Sequence, residues 1–292
     1  MRSQSINFRE LARKISLVEN ESTGYEAILK SLCLSNTAPI IGITGPPGAG
    51  KSTLLNALLD IYQKKEKKIA IIAVDPTSPF NYGSLLGDRI RMAKFFNNPN
   101  IYIRSLATRG SLGGLSEKII EISDLVRSYP FDYVFVETVG VGQSEVEIAG
   151  LADTSVVVLV PESGDEVQTM KAGLMEISDI FVVNKSDREE ADKFASNLVK
   201  LCHSKASLNK TAVLKTVASK SEGIEAVVDQ IDKHLSGDFE NVKKPYLLAK
   251  KALKIIQKKR MQDIDQQKLL EDIKASYQRE GFNIYGFVEG MF

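Results

Sequence analysis

Short β-branched and apolar runs recur along most of this chain, separated by longer stretches of mixed character. The runs are Ile40 to Thr44, Ile69 to Val74, Ile101 to Arg104, Tyr133 to Val136, Val156 to Val160, Ile180 to Val183 and Ala212 to Thr216. Several are apolar without alternation, the pattern of strands covered on both faces. Helix-like stretches lie between most of them, beginning with Ser52 to Tyr62. This alternation predicts an α/β fold, a mostly parallel sheet flanked by helices. In such folds ligands are met by the loops at the carboxyl ends of the strands.

The two ends of the chain read differently. Ile6, Leu11, Ile15 and Val18 recur near helical spacing, as do Ala27, Ile28, Leu32 and Leu34. Residues 1–37 therefore read as an N-terminal helical extension, closed by Asn36-Thr37-Ala38-Pro39. Lys243-Lys244-Pro245 looks like a second boundary. Beyond it, Tyr246 to Met261 and Gln266 to Glu280 are rich in Lys, Gln and Leu and predict two helices with partial apolar stripes. A helix pair this narrow rarely buries enough surface alone. The expected division is thus 1–37, a main domain over 38–240, and a helical segment over 241–292.

Composition narrows the class. The chain has 292 residues, 43% hydrophobic and 26% charged, ordinary values for a globular protein. Lys plus Arg is 38 and Asp plus Glu is 37, so the formal charge is +1. A chain so balanced has no global electrostatic reason to bind nucleic acid or an anionic membrane. No apolar run approaches the roughly 20 residues of a membrane span. Met1 to Glu10 shows no apolar signal core, and a cytoplasmic location is expected. Cys33 and Cys202 match no metal or redox spacing and are expected as small buried side chains. Cys202-His203 invites a metal reading, but adjacent helical residues diverge and no third ligand stands nearby.

The chemistry concentrates after the first apolar run. Residues 45–52 read Gly-Pro-Pro-Gly-Ala-Gly-Lys-Ser, between a strand and a helix. This is the phosphate-loop pattern in its proper context. Gly45, Pro46, Pro47, Gly48, Ala49 and Gly50 form the turn that brings backbone N–H groups together, and the helix opening at Lys51, Ser52 and Thr53 adds a field that favours anions. Lys51 can reach the outer phosphates, and the Ser52 hydroxyl can ligate Mg²⁺.

A second motif, Asn184-Lys185-Ser186-Asp187, follows Phe181-Val182-Val183. An ionised carboxylate only accepts hydrogen bonds. Guanine offers it two parallel donors, whereas adenine presents an acceptor at the ring nitrogen and no amine beside it. Asp187 can therefore select guanine. Asn184 would tie this loop to the phosphate loop, and Lys185 would lay its stem against the base. Ala218-Ser219-Lys220 fits a loop whose backbone N–H meets the guanine carbonyl oxygen. A third motif is Glu137-Thr138-Val139-Gly140. Glu137 can bind Mg²⁺ directly or through water, and Gly140 lets a backbone N–H approach the terminal phosphate. Asp75, in Asp75-Pro76-Thr77-Ser78, and Asp88, in Gly87-Asp88-Arg89, are further candidate metal carboxylates.

Taken together, these strings resemble the MeaB-type GTPases, relatives of the methylmalonic aciduria type A protein within the SIMIBI class of P-loop GTPases. The resemblance also rests on Ala107 to Gly114, on Val141-Gly142-Gln143-Ser144-Glu145, and on Gly164-Asp165-Glu166-Val167-Gln168 with Lys171-Ala172-Gly173. It covers residues 1–235 densely and the tail loosely. It implies a P-loop GTPase that serves as chaperone to an adenosylcobalamin-dependent acyl-CoA mutase, usually methylmalonyl-CoA mutase. Such proteins gate cofactor loading and exchange and form homodimers through C-terminal helices. By the same resemblance, Lys51 and Ser52 bind phosphate and Mg²⁺, Asp75, Asp88 and Glu137 surround the metal, and Gln168 and Lys171 couple the nucleotide site to the mutase. The implied ligands are GTP or GDP with Mg²⁺; the implied catalytic group is Lys51, Glu137, Gln168 and Lys171.

Two departures stand out. The helical tail is short, and no glutamine occupies the position that orients the attacking water in Ras-type enzymes. Gln143 is a displaced candidate, and slow intrinsic hydrolysis is expected. Thr108-Arg109 leaves open an arginine acting on phosphate charge or a structural one capping helix carbonyls. Two other functions compete. A nickel-insertion GTPase would need metal ligands, and His203 and His234 are the only histidines. A P-loop kinase would need ATP and an acceptor lid, against which Asp187 argues.

Overall fold

The computed structural model describes residues 6–35, 37–75, 92–107, 118–138, 148, 150–163, 178–204, 211–237, 243–277 and 281–291. The chain forms two compact units, Met1–Asn241 and Val242–Phe292.

The first unit is built on seven parallel strands: β1 Ile40–Thr44, β2 Ile69–Asp75, β3 Ile101–Ala107, β4 Tyr133–Glu137, β5 Thr154–Leu159, β6 Ile180–Val183 and β7 Ala212–Lys215. Their order is β3-β2-β4-β1-β5-β6-β7, and every described pairing is parallel. The predicted α/β architecture is present. Helices α1 Phe8–Glu19, α2 Tyr25–Lys30, α3 Lys51–Lys64, α4 Ile119–Arg127, α5 Ala191–Ser204 and α6 Ile224–Ser236 accompany the strands.

Alternate residues of each central strand feed opposite cores, which is why the runs read as continuously apolar. Ile41, Ile43, Ile69, Ile71, Phe135, Val156 and Val158 pack with Leu54, Leu58 and Tyr62 of α3 and with Val227 and Ile231 of α6. Ile40, Ala70, Ile72, Val134 and Val136 pack on the other side with Leu11, Ile15 and Val18 of α1 and with Ile122 and Leu125 of α4. Val157, Leu159, Phe181 and Val183 meet Ala195 and Leu198 of α5.

Several boundaries differ from the sequence expectation. Strand β5 starts at Thr154, two residues early, because Thr154 and Ser155 are buried and hydrogen-bonded: Ser155 N–H donates to Asp179 Oδ2 at 2.8 Å. Strand β3 runs on to Ala107 through Arg104, whose guanidinium meets Glu19 of α1 at 2.5 Å. Helix α2 stops at Lys30, with Ser31 Oγ donating to Ile28 O at 2.7 Å, so Leu34 lies past the helix and is exposed. Cys33, expected to be buried, is exposed as well. Cys202 is half-buried, and burial pushes its thiol pKa up.

The second unit contains α7 Lys243–Arg260, α8 Gln266–Tyr277 and α9 Ile284–Glu289. Pro245 sits in the first turn of α7, where its missing N–H has no intrahelical partner to lose. Asp265 caps α8, accepting from Gln267 N–H at 2.8 Å. The third helix was not predicted. It is six residues long and capped by Asn283, too short for periodicity to reveal. Among the described residues, no helix is long and apolar enough to cross a membrane.

Candidate nucleotide-binding site

The site gathers at the carboxyl ends of β1, β4, β6 and β7. Strand β1 delivers Thr44 to the glycine-rich turn, and α3 begins at Lys51. Two glycines are required there. Gly45 has φ +138°, and a side chain on it would run into Val158 O. Gly50 has φ +89°, and a side chain on it would strike the Asn184 amide. The first closes the loop onto β5, and the second closes it onto the loop after β6. Pro46 and Ala49 are buried; Pro47, Gly48 and Thr53 face outward.

Lys51 is buried to 7% exposure, and its Nζ donates to Gly45 O at 2.9 Å and Pro46 O at 3.1 Å. The ammonium is thus held inside the curl of the loop, at the N-terminus of a 14-residue helix. A cation and the positive end of a helix dipole meet at one turn, an arrangement that favours an anion.

Beside it, Ser52 Oγ donates to Glu137 Oε1 at 2.6 Å. Glu137 closes β4 and is only 4% exposed. Register explains the meeting, since Ile43 pairs with Glu137 across β1 and β4. With its proton committed to the carboxylate, the Ser52 oxygen keeps lone pairs for a cation. A hydroxyl and a carboxylate are hard oxygen donors of the kind Mg²⁺ takes, and Mg²⁺ ordinarily completes its shell with phosphate and water. This donor set fits the metal. One residue on, Thr138 Oγ1 donates to Thr44 Oγ1 at 2.9 Å, and both threonines are buried. That buried hydroxyl pair joins the roots of the two loops and was missed in the sequence.

Asn184 knits three loops together. Its Nδ2 donates to Ala49 O at 2.8 Å, while its Oδ1 accepts from Thr216 Oγ1 and from Ala218 N–H, each at 3.1 Å. Lys185 takes a left-handed φ of 55° and donates from Nζ to Gly48 O at 2.7 Å. Asp187 stands at the rim of this assembly and meets Lys220 Nζ at 3.2 Å. That hydrogen bond holds the Asp187 carboxyl below its ordinary value, with the nearby charges of Lys220 and Arg188 adding to it. Ala218 and Ser219 lie in the 3₁₀ turn Ala218–Lys220; Ala218 is buried and Ser219 exposed. The Ala218 amide, expected to face a base, is engaged by Asn184 here.

Lys51, Ser52, Glu137, Asn184, Lys185, Asp187, Ala218 and Ser219 are therefore placed at one end of the sheet. Asp75 ends β2, with β4 between it and β1, and pairs with Ala107 in register. Asp88, Gly140, Gln168 and Lys171 lie outside the described residues, as do Arg109 and Gln143. Among the described residues, no cluster of three or more His, Cys, Asp or Glu could hold a metal. His234 is instead engaged by Thr154 Oγ1 at 2.8 Å and Asp179 Oδ1 at 3.6 Å.

Residues 11–277 match the sequence signature of the family described as "Methylmalonyl Co-A mutase-associated GTPase MeaB". The chain belongs to the MeaB family of GTPases. A putative GTPase of Pyrococcus horikoshii is 48% identical over 233 residues, covering 77% of this chain and 73% of the relative. GTPase ArgK of Escherichia coli is 40% identical over 183 residues, 61% of this chain and 55% of the relative. The mitochondrial methylmalonic aciduria type A homolog of Caenorhabditis elegans is 45% identical over 148 residues, 50% of this chain and 37% of the relative. Among solved structures, a LAO/AO transport system kinase superposes with a TM-score of 0.67 at 25% identity, covering 96% of this chain and 85% of that one. A hydrogenase maturation factor HypB from Archaeoglobus fulgidus matches at a TM-score of 0.50 and 18% identity, covering 78% of this chain and all of the other; that likeness shows the fold alone.

Proposed function

We propose that this MeaB-family GTPase binds GTP and GDP with Mg²⁺ and uses its nucleotide state to gate cofactor loading or exchange on an adenosylcobalamin-dependent acyl-CoA mutase. Methylmalonyl-CoA mutase is the first client to test. The observation that carries the nucleotide reading is Asn184, bonded at once to the phosphate loop and to the Ala218 turn, with Asp187 at its rim. The family description carries the mutase reading.

In this reading the polyphosphate lies within the glycine-rich turn that now holds the Lys51 ammonium, and Lys51 turns its charge onto the outer phosphates. Backbone N–H groups of residues 48–53 share that charge through the helix end. Ser52 and Glu137 hold the Mg²⁺, which supplies neutralisation of charge developing on the transferred phosphoryl group. Glu137 keeps the Ser52 hydroxyl proton turned away from that position. Asp187 accepts from the two guanine donors, and the Ala218 amide exchanges Asn184 Oδ1 for the guanine oxygen. Gln143 is the proposed water-orienting residue, displaced from the Ras-type position, so turnover without the partner is slow. Asp75, Asp88, Gly140, Gln168 and Lys171 keep the metal, phosphate and coupling roles that the family resemblance gives them. The protein acts in the cytoplasm as a homodimer through 241–292.

The test is co-purification with purified methylmalonyl-CoA mutase in a non-hydrolysable GTP analogue, followed by turnover with and without the mutase. A stable complex and faster hydrolysis are expected. Failure to associate in every nucleotide state, with turnover unchanged, overturns the chaperone reading.

A further inference from the structure

The turn that carries Asp187 is held from three sides. The phosphate loop takes Asn184 and Lys185, and the turn after β7 sends Lys220 to Asp187. On the third side Arg188, next in sequence to Asp187, pairs its Nη1 with Glu162 Oε1 in the turn Pro161–Ser163 after β5. We infer that Glu162 and Arg188 form a positioning pair that fixes Asp187 for guanine and so couples the turn after β5 to base selectivity. This rests on the proposed guanine role of Asp187.

The backbone explains why such a pair is needed. Lys185 holds a left-handed φ of 55° and Glu190 one of 66°, conformations that non-glycine residues adopt at a penalty. Asp187 and Arg188 lie between these two strained points. Within the turn, Arg188 N–H donates to Lys185 O at 3.1 Å, and Ala191 N–H reaches Arg188 O at 3.4 Å. These are modest constraints for a residue that must align both carboxylate oxygens with two donors. The Asp187 carboxylate is itself anchored by the exposed Lys220 and by its own backbone N–H. Arg188 fastens the same turn to the turn after β5 through Glu162, and the end of β5 also supports Asn184 through Asn184 N–H to Leu159 O at 2.8 Å. Glu162 is well suited as the anchor. Its carboxyl is held below the ordinary range by its own backbone N–H and by Arg188, with the charge of Lys185 adding to it.

An exposed ion pair adds little to stability, and 46% and 54% exposure at Arg188 and Glu162 places this one in that class. Its effect is therefore expected in selectivity rather than in folding. Small displacements of a recognition group carry large penalties in the interaction it makes.

The test uses the full chain with GDP and ADP, which share the phosphates and differ at the base. Glu162→Arg and Arg188→Glu each place like charges together. Each is expected to lower the preference for GDP over ADP by about threefold to tenfold while ADP affinity holds, and the double reversal should restore it. Should either single variant melt early, Glu162→Gln and Arg188→Met replace it, with the same sign and a smaller effect. An unchanged preference overturns the inference. So does a parallel fall in both affinities, which would reflect phosphate electrostatics, and so does failure of the double reversal to rescue. Wild-type protein with equal affinity for GDP and ADP would instead overturn the guanine reading of Asp187.

Discussion

Glu137 carries one methylene more than the aspartate common at this strand end, and that length sets what it can touch. Its carboxylate reaches Ser52 Oγ at 2.6 Å. Glu137→Asp shortens the arm and should separate the two groups while keeping the charge. The Mg²⁺ concentration for half-maximal GTP turnover is expected to rise about tenfold or more, the usual effect of removing a partner that orients a metal ligand. The folded-state pKa of Asp187 is depressed, chiefly by the Lys220 hydrogen bond. The carboxylate is thus fully charged above its ordinary pKa, and its selectivity is lost only as pH falls through the lowered value. The GDP-to-ADP affinity ratio should stay flat from about pH 8 down to about pH 5, within the range where an ordinary aspartate remains ionised. A ratio falling between those limits would mean that another group carries the selectivity. Much of this was readable in advance, because motif spacing places Lys51, Asn184 and Asp187 after predicted strands. The Thr44–Thr138 hydroxyl pair was not. It depends on the register of two strands about 90 residues apart in sequence, and nothing in one strand encodes its partner.

Element boundaries follow the same division. Continuous apolar runs marked β1 and β6 to the residue, since both faces of each are buried. Polar residues that become buried by hydrogen bonding, such as Thr154 and Ser155, carry no apolar signal, and β5 was misplaced accordingly. Helix α1 was legible through Leu11, Ile15 and Val18, but its destination was not. All three are fully buried in the core beneath β2 and α4. Leu11→Ala should therefore destabilise the whole first unit by about 2–5 kcal/mol in urea unfolding, as for an interior leucine, and not merely fray an appendage. A loss under about 0.5 kcal/mol, the level of a surface change, would show that the extension is dispensable. Gly42 makes a complementary case on the same face. A Cβ there would stand 2.6 Å from Ile148 Cγ1 and 3.1 Å from Ala152 Cβ. Gly42→Ala should cost about 1–3 kcal/mol by overpacking the contact that seats Ile148 and Ala152 on β1.

At the scale of the molecule, charge and apolar exposure divide unevenly. Residues 242–292 hold eleven Lys or Arg and six Asp or Glu out of chain totals of 38 and 37, so this segment carries +5 and the rest −4. Helix α7 alone has eight basic residues and no acidic one. The same unit leaves Leu248, Leu253, Ile256, Leu270, Tyr277 and Tyr285 between 49% and 82% exposed. Apolar side chains in that number on three helices are more than scattered surface residues, and they favour association. The proposed homodimer would cover them. Its electrostatics then have a clear direction. Two copies of a +5 segment repel, so salt should screen the repulsion and tighten a dimer held by apolar contact. Sedimentation of the full chain is expected to show a dimer whose dissociation constant falls as NaCl rises, with Leu253→Glu and Ile256→Glu together giving a monomer that still binds GDP. Dissociation by added salt would mean that ion pairs, not the exposed apolar residues, join the subunits.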